Sequence, residues 1–282
     1  MSLRTFRWIT GAGLVPGPLP DEPLLAADSW LVDRGRVRAL ERHRRRFAAS
    51  CAQVSGSDRI ALTGASLDAF WSAVQASLPD TGRWFPRVEM SGDPDEQRLS
   101  LRIRPAPASS ATARGWINPG PDLRRHPRRK GPDLPVLAEL RSRAAAAGAD
   151  DALLVDADGV LLEAAHASVL WWEGDTLCLP PADLPVLPSV TAAVIRERAQ
   201  ALDIPVREVR RRPGDLDGLE VWLVNALHGI RPMREIVDSG LRLGAARRAP
   251  RWLNWLDSTP VPVHAPLPRP PTPLGARLRE RG

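Results

Sequence analysis

The sequence predicts a mixed α/β (α+β) chain folded as two domains, and three observations carry that reading. A chain of 282 residues can bury one large core or two moderate ones, and two is the better expectation at this length. Strand-like apolar runs and longer stretches with helical spacing occur in both halves. Between the halves, from Pro105 to Arg129, the chain turns rich in Pro, Gly, Ser and Arg, with Trp116 and Ile117 its only notable apolar pair. That stretch reads as an interdomain connection. The expected divisions are residues 1–106, a connection over 107–129, a second domain over 130–258, and a tail over 259–282.

In chain order, Asp28 to Val32 (DSWLV) reads as a short strand. Val37 to Ala49 follows with Val37, Leu40, Phe47 and Ala48 near helical spacing and arginines between them. Ser66 is placed to cap a helix over Leu67 to Leu78, which Pro79 closes. Trp84 to Met90 and Leu99 to Ile103 are strands, the second alternating Leu, Arg, Ile, Arg. Beyond the connection, Leu134 to Ala147 is a helix with Pro135 in its first turn and Gly148 at its end. Asp151 to Asp156 and Val160 to Leu162 form a hairpin about Asp158-Gly159. Ser168 to Trp172 and Thr176 to Leu179 are strands around Glu173-Gly174-Asp175, and Val190 to Leu202 is a helix. Glu220 to Asn225 and Arg231 to Ile236 are strands, and Ala246 to Leu256 is a short helix. After Asp257 a Pro falls at almost every third position, and the tail is expected to be disordered.

Of the 39 basic residues, Lys130 is the single lysine and all others are arginine. Arginine supplies charge but cannot do amine chemistry near neutral pH, whereas a lysine can lose its proton and form a Schiff base. Lys130 is either a chance surface residue or an amine that the chemistry needs. The net charge is +6, with basic clusters at Arg42 and Arg44 to Arg46, at Arg124, Arg125, Arg128 and Arg129, and at Arg210 to Arg212. Such clusters suit nucleic-acid phosphates, phosphorylated ligands or acidic substrates, or simply a solvated face. No nucleic-acid-binding signature accompanies them. Cys51 and Cys178 lie outside any metal or disulfide pattern, so no metal is expected and the thiols read as reduced. The start lacks the apolar core of about 7–15 residues of a signal peptide, and no stretch approaches the roughly 18 apolar residues of a membrane span. The expectation is a cytoplasmic protein. The Gly-rich run from Gly11 to Gly17 lacks the strand–helix context of a dinucleotide motif.

Three segments carry chemistry. Lys130 ends the run RRHPRRK just before a helix, where neighbouring guanidinium groups and partial burial would lower its pKa. Leu187 to Thr191 (LPSVT) leads into a helix whose free N–H groups and Thr hydroxyl could hold a phosphate, or could form a plain capped start. Glu163 ends a strand in the apolar stretch VLLEAAHASVLWW, where a carboxylate is costly unless it is paired or faces water.

Taken together, Lys130 before a helix, DDALLVDADGVLLEAAHASVLWW, LPSVTAAVIRERAQALDIPV and EVWLVNALHGIRPM resemble the class IV pyridoxal-phosphate enzymes. That group comprises branched-chain aminotransferases, D-amino acid aminotransferases and 4-amino-4-deoxychorismate lyases. GRVRALERHRRRF resembles the group's His-x-x-Arg segment. The resemblance implies fold type IV: a smaller N-terminal α/β domain and a larger, β-barrel-like C-terminal α/β domain that binds pyridoxal 5'-phosphate. It implies that Lys130 holds the cofactor as a Schiff base and moves protons at the substrate carbon, and that Glu163 pairs with the pyridine nitrogen. It further implies that Arg46, Val190, Thr191, Asn225 and Ala226 hold the phosphate side, and that the unit is a homodimer. Ser29, Arg102, Arg104, His166 and His228 are the substrate-side candidates, the two arginines as carboxylate partners. The chain departs from the group at Ser189, usually Gly, at Ala192, usually Arg, and in having no Tyr. The Asn-Ala-Leu loop and compact length resemble the lyases, so pyruvate elimination giving 4-aminobenzoate is the first expectation and amino transfer the second.

Overall fold

The computed structural model describes residues 2–19, 21–55, 64–93 and 96–265. The chain starts with the hairpin β1 (Arg4–Ile9) and β2 (Gly13–Pro16). The Gly11 to Gly17 run therefore serves a turn and an edge strand. Then come β3 (Leu24–Ser29), β4 (Val32–Asp33), β5 (Arg36–Val37), α1 (Leu40–Ser55), α2 (Gly64–Ala76), β6 (Arg83–Trp84), β7 (Arg87–Gly92) and β8 (Gln97–Ile103). An antiparallel five-stranded sheet of order β2-β1-β8-β7-β3 packs on α1 and α2 through Trp30, Phe47, Phe70, Trp71, Met90 and Leu101.

Boundaries shift where local backbone overrides periodicity. The DSWLV run is split between β3 and β4, with Trp30 turned into the core. Ala39 takes a left-handed φ of 51°, so the helix expected from Val37 starts at Leu40. Ser66 lies inside α2 and is not its cap.

The second half contains β9 (Ala113–Pro121), α3 (Leu134–Ala146), β10 (Asp151–Val155), β11 (Leu161–Ala164), β12 (Ser168–Glu173), β13 (Thr176–Leu179), α4 (Val190–Gln200) and β14 (Val206–Glu208). It ends with β15 (Glu220–Asn225), β16 (Gly229–Ile236), α5 (Ala249–Ser258) and β17 (Val261–Pro262). Eight strands form one sheet of order β11-β10-β9-β16-β15-β12-β13-β14.

The expected connection over 107–129 is corrected by β9, which lies inside this sheet, parallel to both β10 and β16. Its small residues answer to packing: a Cβ at Gly115 would sit 2.6 Å from the Met233 sulfur. Parallel strands need a long crossover, and here that crossover runs from β9 through α3 to β10. Lys130 rides on it.

The expected tail is also corrected at its start. β17 pairs with β5, Val263 is buried, and the Gln75 amide donates to the carbonyls of Val263 (2.6 Å) and Ala265 (2.8 Å). Residues 266–282 lie outside the described residues. Among the described residues, no helix is long and apolar enough to cross a membrane.

Candidate active site

A cavity of about 780 Å³ opens between the two large sheets, walled by residues of α1, β3, β7 and the stretch just after β8 on one side and of the crossover, β11, the start of α4 and the β15–β16 turn on the other. Lys130, Glu163, Arg46, Val190, Thr191, Asn225, Ala226, Ser29, Arg104, His166 and His228 all line it. Arg102 does not. Its guanidinium donates to the buried Glu89 at 2.7 Å, beside Arg87, which corrects its assignment to the substrate side.

Lys130 is pinned through its backbone. The Ala27 N–H of β3 donates to the Lys130 carbonyl at 2.7 Å. Gly131 has φ +134°, and a Cβ there would meet the backbone of Ala26 and Ala27 at 2.9 Å. Gly131→Ala is therefore expected to destabilise the fold by about 2 kcal/mol and to shift Lys130 out of the cavity. A thermal melt, read beside cofactor uptake, checks this, and an unchanged melt would remove the constraint. Among the described residues the Lys130 amine has no hydrogen-bond or ion-pair partner. Burial lowers its pKa to about 8; Arg46 adds to the drop, while Asp28 and Glu163 oppose it. The guanidinium that matters most comes from α1, not from Lys130's own arginine run.

Glu163, on β11, is 4% exposed. One carboxylate oxygen accepts from Arg124 at 2.6 Å and from the Leu187 N–H at 2.9 Å. The other oxygen has no partner among the described residues. Burial pushes this carboxyl up, and Arg124 pulls it back. Arg124 is itself shared with Asp122 at 2.9 Å.

Arg46 does not stand alone. It grips the fully buried Asp28 with two bonds of 2.8 Å and donates to the Pro188 carbonyl at 3.0 Å. His43 Nδ1 lies 2.8 Å from the same carboxylate. Burial alone would raise the Asp28 carboxyl, but Arg46 and His43 outweigh it and hold it far below the ordinary range. The remaining arginines of this cluster are also paired, Arg42 with Glu197, Arg44 with Asp68 and Arg45 with Glu41.

At the start of α4, the Ser189 hydroxyl accepts from the Ala192 N–H at 3.2 Å. Ser189 thus caps the helix where the group usually has Gly. The Val190 and Thr191 N–H groups, both on buried residues, find no acceptor among the described residues. Asn225 shapes the β15–β16 turn, accepting from the N–H groups of Leu227 (3.1 Å) and His228 (2.8 Å) and donating to the His166 carbonyl (3.1 Å).

The site also contains residues that the sequence reading did not single out: Asp28, His43, Arg124, Arg129 and Arg231. The signal for Asp28 was a carboxylate in an apolar strand, LLAADSW. Arg124 and Arg129 were noted only as members of a charge cluster, and Arg231 only as the start of a strand. Among the described residues, no group of His, Cys, Asp and Glu could hold a metal ion.

These features fit a phosphorylated pyridine aldehyde. An unpaired amine, a half-used buried carboxylate and two free helix N–H groups beside an arginine border one cavity. No curated protein matches the chain. Among solved structures, it is similar to a hypothetical aminotransferase from Mycobacterium tuberculosis in its alpha-ketoglutarate- and PMP-bound form (19% identity, TM-score 0.74, covering 91% of this chain and 98% of that one). It is also similar to the branched-chain aminotransferase of Thermoproteus uzoniensis with norvaline (15%, 0.78, 93% and 99%). An unconfirmed 4-amino-4-deoxychorismate lyase from Legionella pneumophila is similar as well (16%, 0.72, 87% and 96%). These likenesses show the fold-type IV architecture. The sequence model described as amino-transferase class IV matches residues 25–236, and the chain belongs to that family of pyridoxal-phosphate enzymes.

Proposed function

We propose that the cavity holds pyridoxal phosphate on Lys130 and that the protein acts as a 4-amino-4-deoxychorismate lyase, releasing pyruvate and leaving 4-aminobenzoate. The observation that carries cofactor binding is the partnerless Lys130 amine, placed in one cavity with the free oxygen of Glu163 and the free N–H groups of α4. When bound, the cofactor supplies an electron sink next to the amine-bearing carbon. Glu163, tied to Arg124, would accept a hydrogen bond from the protonated ring nitrogen. Arg46 and the Val190 and Thr191 N–H groups hold the phosphate. Lys130, with a pKa near 8, would take the proton from the ring carbon bearing the amine as the ring carbon–oxygen bond breaks, and would return it to the methylene carbon of the departing enolpyruvate to give pyruvate. The lyase reading is supported by the Asn225-Ala226-Leu227 turn and by arginines suited to a substrate with two carboxylates. Arg104 is the clearest of these: it lines the cavity, has no acidic hydrogen-bond partner among the described residues, and stacks on Phe85 at 5.0 Å.

The second reading, transfer of an amino group between an amino acid and a 2-oxo acid, is favoured by the relative bound to alpha-ketoglutarate. The working unit is taken as a homodimer on the resemblance, and the compartment as the cytoplasm on two cysteines outside any disulfide or metal-binding pattern. Borohydride reduction followed by peptide mass spectrometry is expected to place the cofactor on Lys130, and protein that never takes it up sinks both readings. With cofactor bound, pyruvate release from 4-amino-4-deoxychorismate, set against turnover of glutamate with a 2-oxo acid, separates them.

A further inference from the structure

Among the described residues, four buried side-chain nitrogens of cavity-lining residues have no hydrogen-bond partner: Arg129 Nε, His166 Nδ1, His228 Nδ1 and Arg231 Nε. Unpaired buried donors are costly, and two of them meet on the wall formed by the β15–β16 hairpin. Arg231 lies on β16 with 6% of its surface exposed. The acid nearest to it is Asp151, at 3.9 Å, too far for a hydrogen bond. Asp151 Oδ1 accepts from the N–H groups of Ala152 (3.0 Å) and His166 (3.3 Å), and only Oδ2 faces Arg231, at ion-pair and not hydrogen-bond distance. Arg141, exposed on α3, has no hydrogen bond or ion pair among the described residues and faces the same cavity. It is close enough to Arg231 and His228 to oppose their protonation, and burial is the larger cause of the same effect. Two guanidinium groups and an imidazole thus share one nearby buried carboxylate.

Resting on the proposed reading of the site, we propose that Arg231, His228 and Arg141 form a second anion-binding corner that takes a distal carboxylate of the substrate. Arg104, just past β8 on the facing wall, is left for the other carboxylate. The corner restricts the substrate class to dicarboxylic amino or enol-ether acids and disfavours aliphatic amino acids. Arg231 supplies the buried charge, which attracts strongly where water is excluded. His228 contributes an N–H at neutral pH, since burial drives its pKa down to about 4. Arg141 closes the corner from the helix side.

The test is calorimetric titration of cofactor-loaded protein with glutarate and with valerate, which share a chain length and differ by one carboxylate. Wild type is expected to prefer glutarate by roughly tenfold to a hundredfold, the range of one charge-assisted bond. Arg231→Gln should abolish the preference without weakening valerate, and Arg141→Ala on the exposed helix face should reduce it several-fold. Equal binding of the two probes by wild type overturns the proposal, as does an undiminished preference in folded Arg231→Gln. If Arg231→Gln does not fold, the double variant Arg141→Ala, His228→Asn decides, because neither side chain carries the sheet. Labelling of Lys130 in the same samples keeps the two failures apart. Cofactor uptake without a glutarate preference removes only the anion corner, whereas a preference without uptake removes the cofactor reading.

Discussion

Asp28→Asn is expected to lower the unfolding free energy by about 3–5 kcal/mol, the cost of breaking a buried ion pair by removing one partner. The carboxylate is fully buried and binds both Arg46 and His43. The amide would offer one oxygen where the two bonds from Arg46 need two, and it would leave the guanidinium charge uncompensated. Urea unfolding at pH 7 measures the loss, and an unchanged midpoint would show that the network adds nothing. The pH dependence has a definite sign. Asp28 is held below its ordinary value of 3.8 in the fold, so its contribution is complete above that value and is lost as pH falls further. Wild type and variant should therefore converge in acid. Arg46 also orients the phosphate end of the site, so cofactor affinity should fall with stability.

Lys130→Met should move stability and activity in opposite directions. In the fold the amine titrates near 8, against an ordinary 10.5. Below pH 8 the folded protein therefore carries a protonated amine in an unfavourable place, at a cost of about 3 kcal/mol. That cost disappears as pH rises from about 8 to 10.5. The methionine variant should be the more stable at pH 7, and its advantage should close by pH 10.5. Turnover should drop by about a thousandfold or more, because Lys130 is the proposed attachment point and proton carrier. Lys130→Arg restores a charge but not the chemistry, so it should be as inactive as the methionine variant. A melt showing wild type the more stable at pH 7 would mean that the amine is not buried against charge.

Much of the second half was legible because periodicity and burial agree there. α3 and α4 start where Pro and Ser signals place them, and β12, β13 and β15 are apolar runs buried in the sheet. β9 was not legible, since Arg114, Gly115, Pro119, Gly120 and Pro121 read as punctuation. Its strand character comes from two parallel neighbours distant in sequence. β1 and β14 were missed for a related reason: each lies beside a partner that the local pattern does not reveal. At the site, chemistry that depends on residue type alone, such as Lys130 and Glu163, could be found from sequence. Partnerships could not. Nothing local says that Arg46 is committed to Asp28, that Arg102 turns to Glu89, or that Arg231 lacks an acid within bonding distance.

The pairing of β17 with β5 bears on how this protein is made. The four-stranded sheet β17-β5-β4-β6 joins residues near the start of the chain to a strand more than two hundred positions later. During synthesis the first core forms with that edge open, and Val263 and the carbonyls that Gln75 binds arrive only after the second half has emerged. Such distant closure is slow and leaves an unpaired strand edge exposed in the meantime. The β5 edge thus stays unpaired on that side until the last described strand docks.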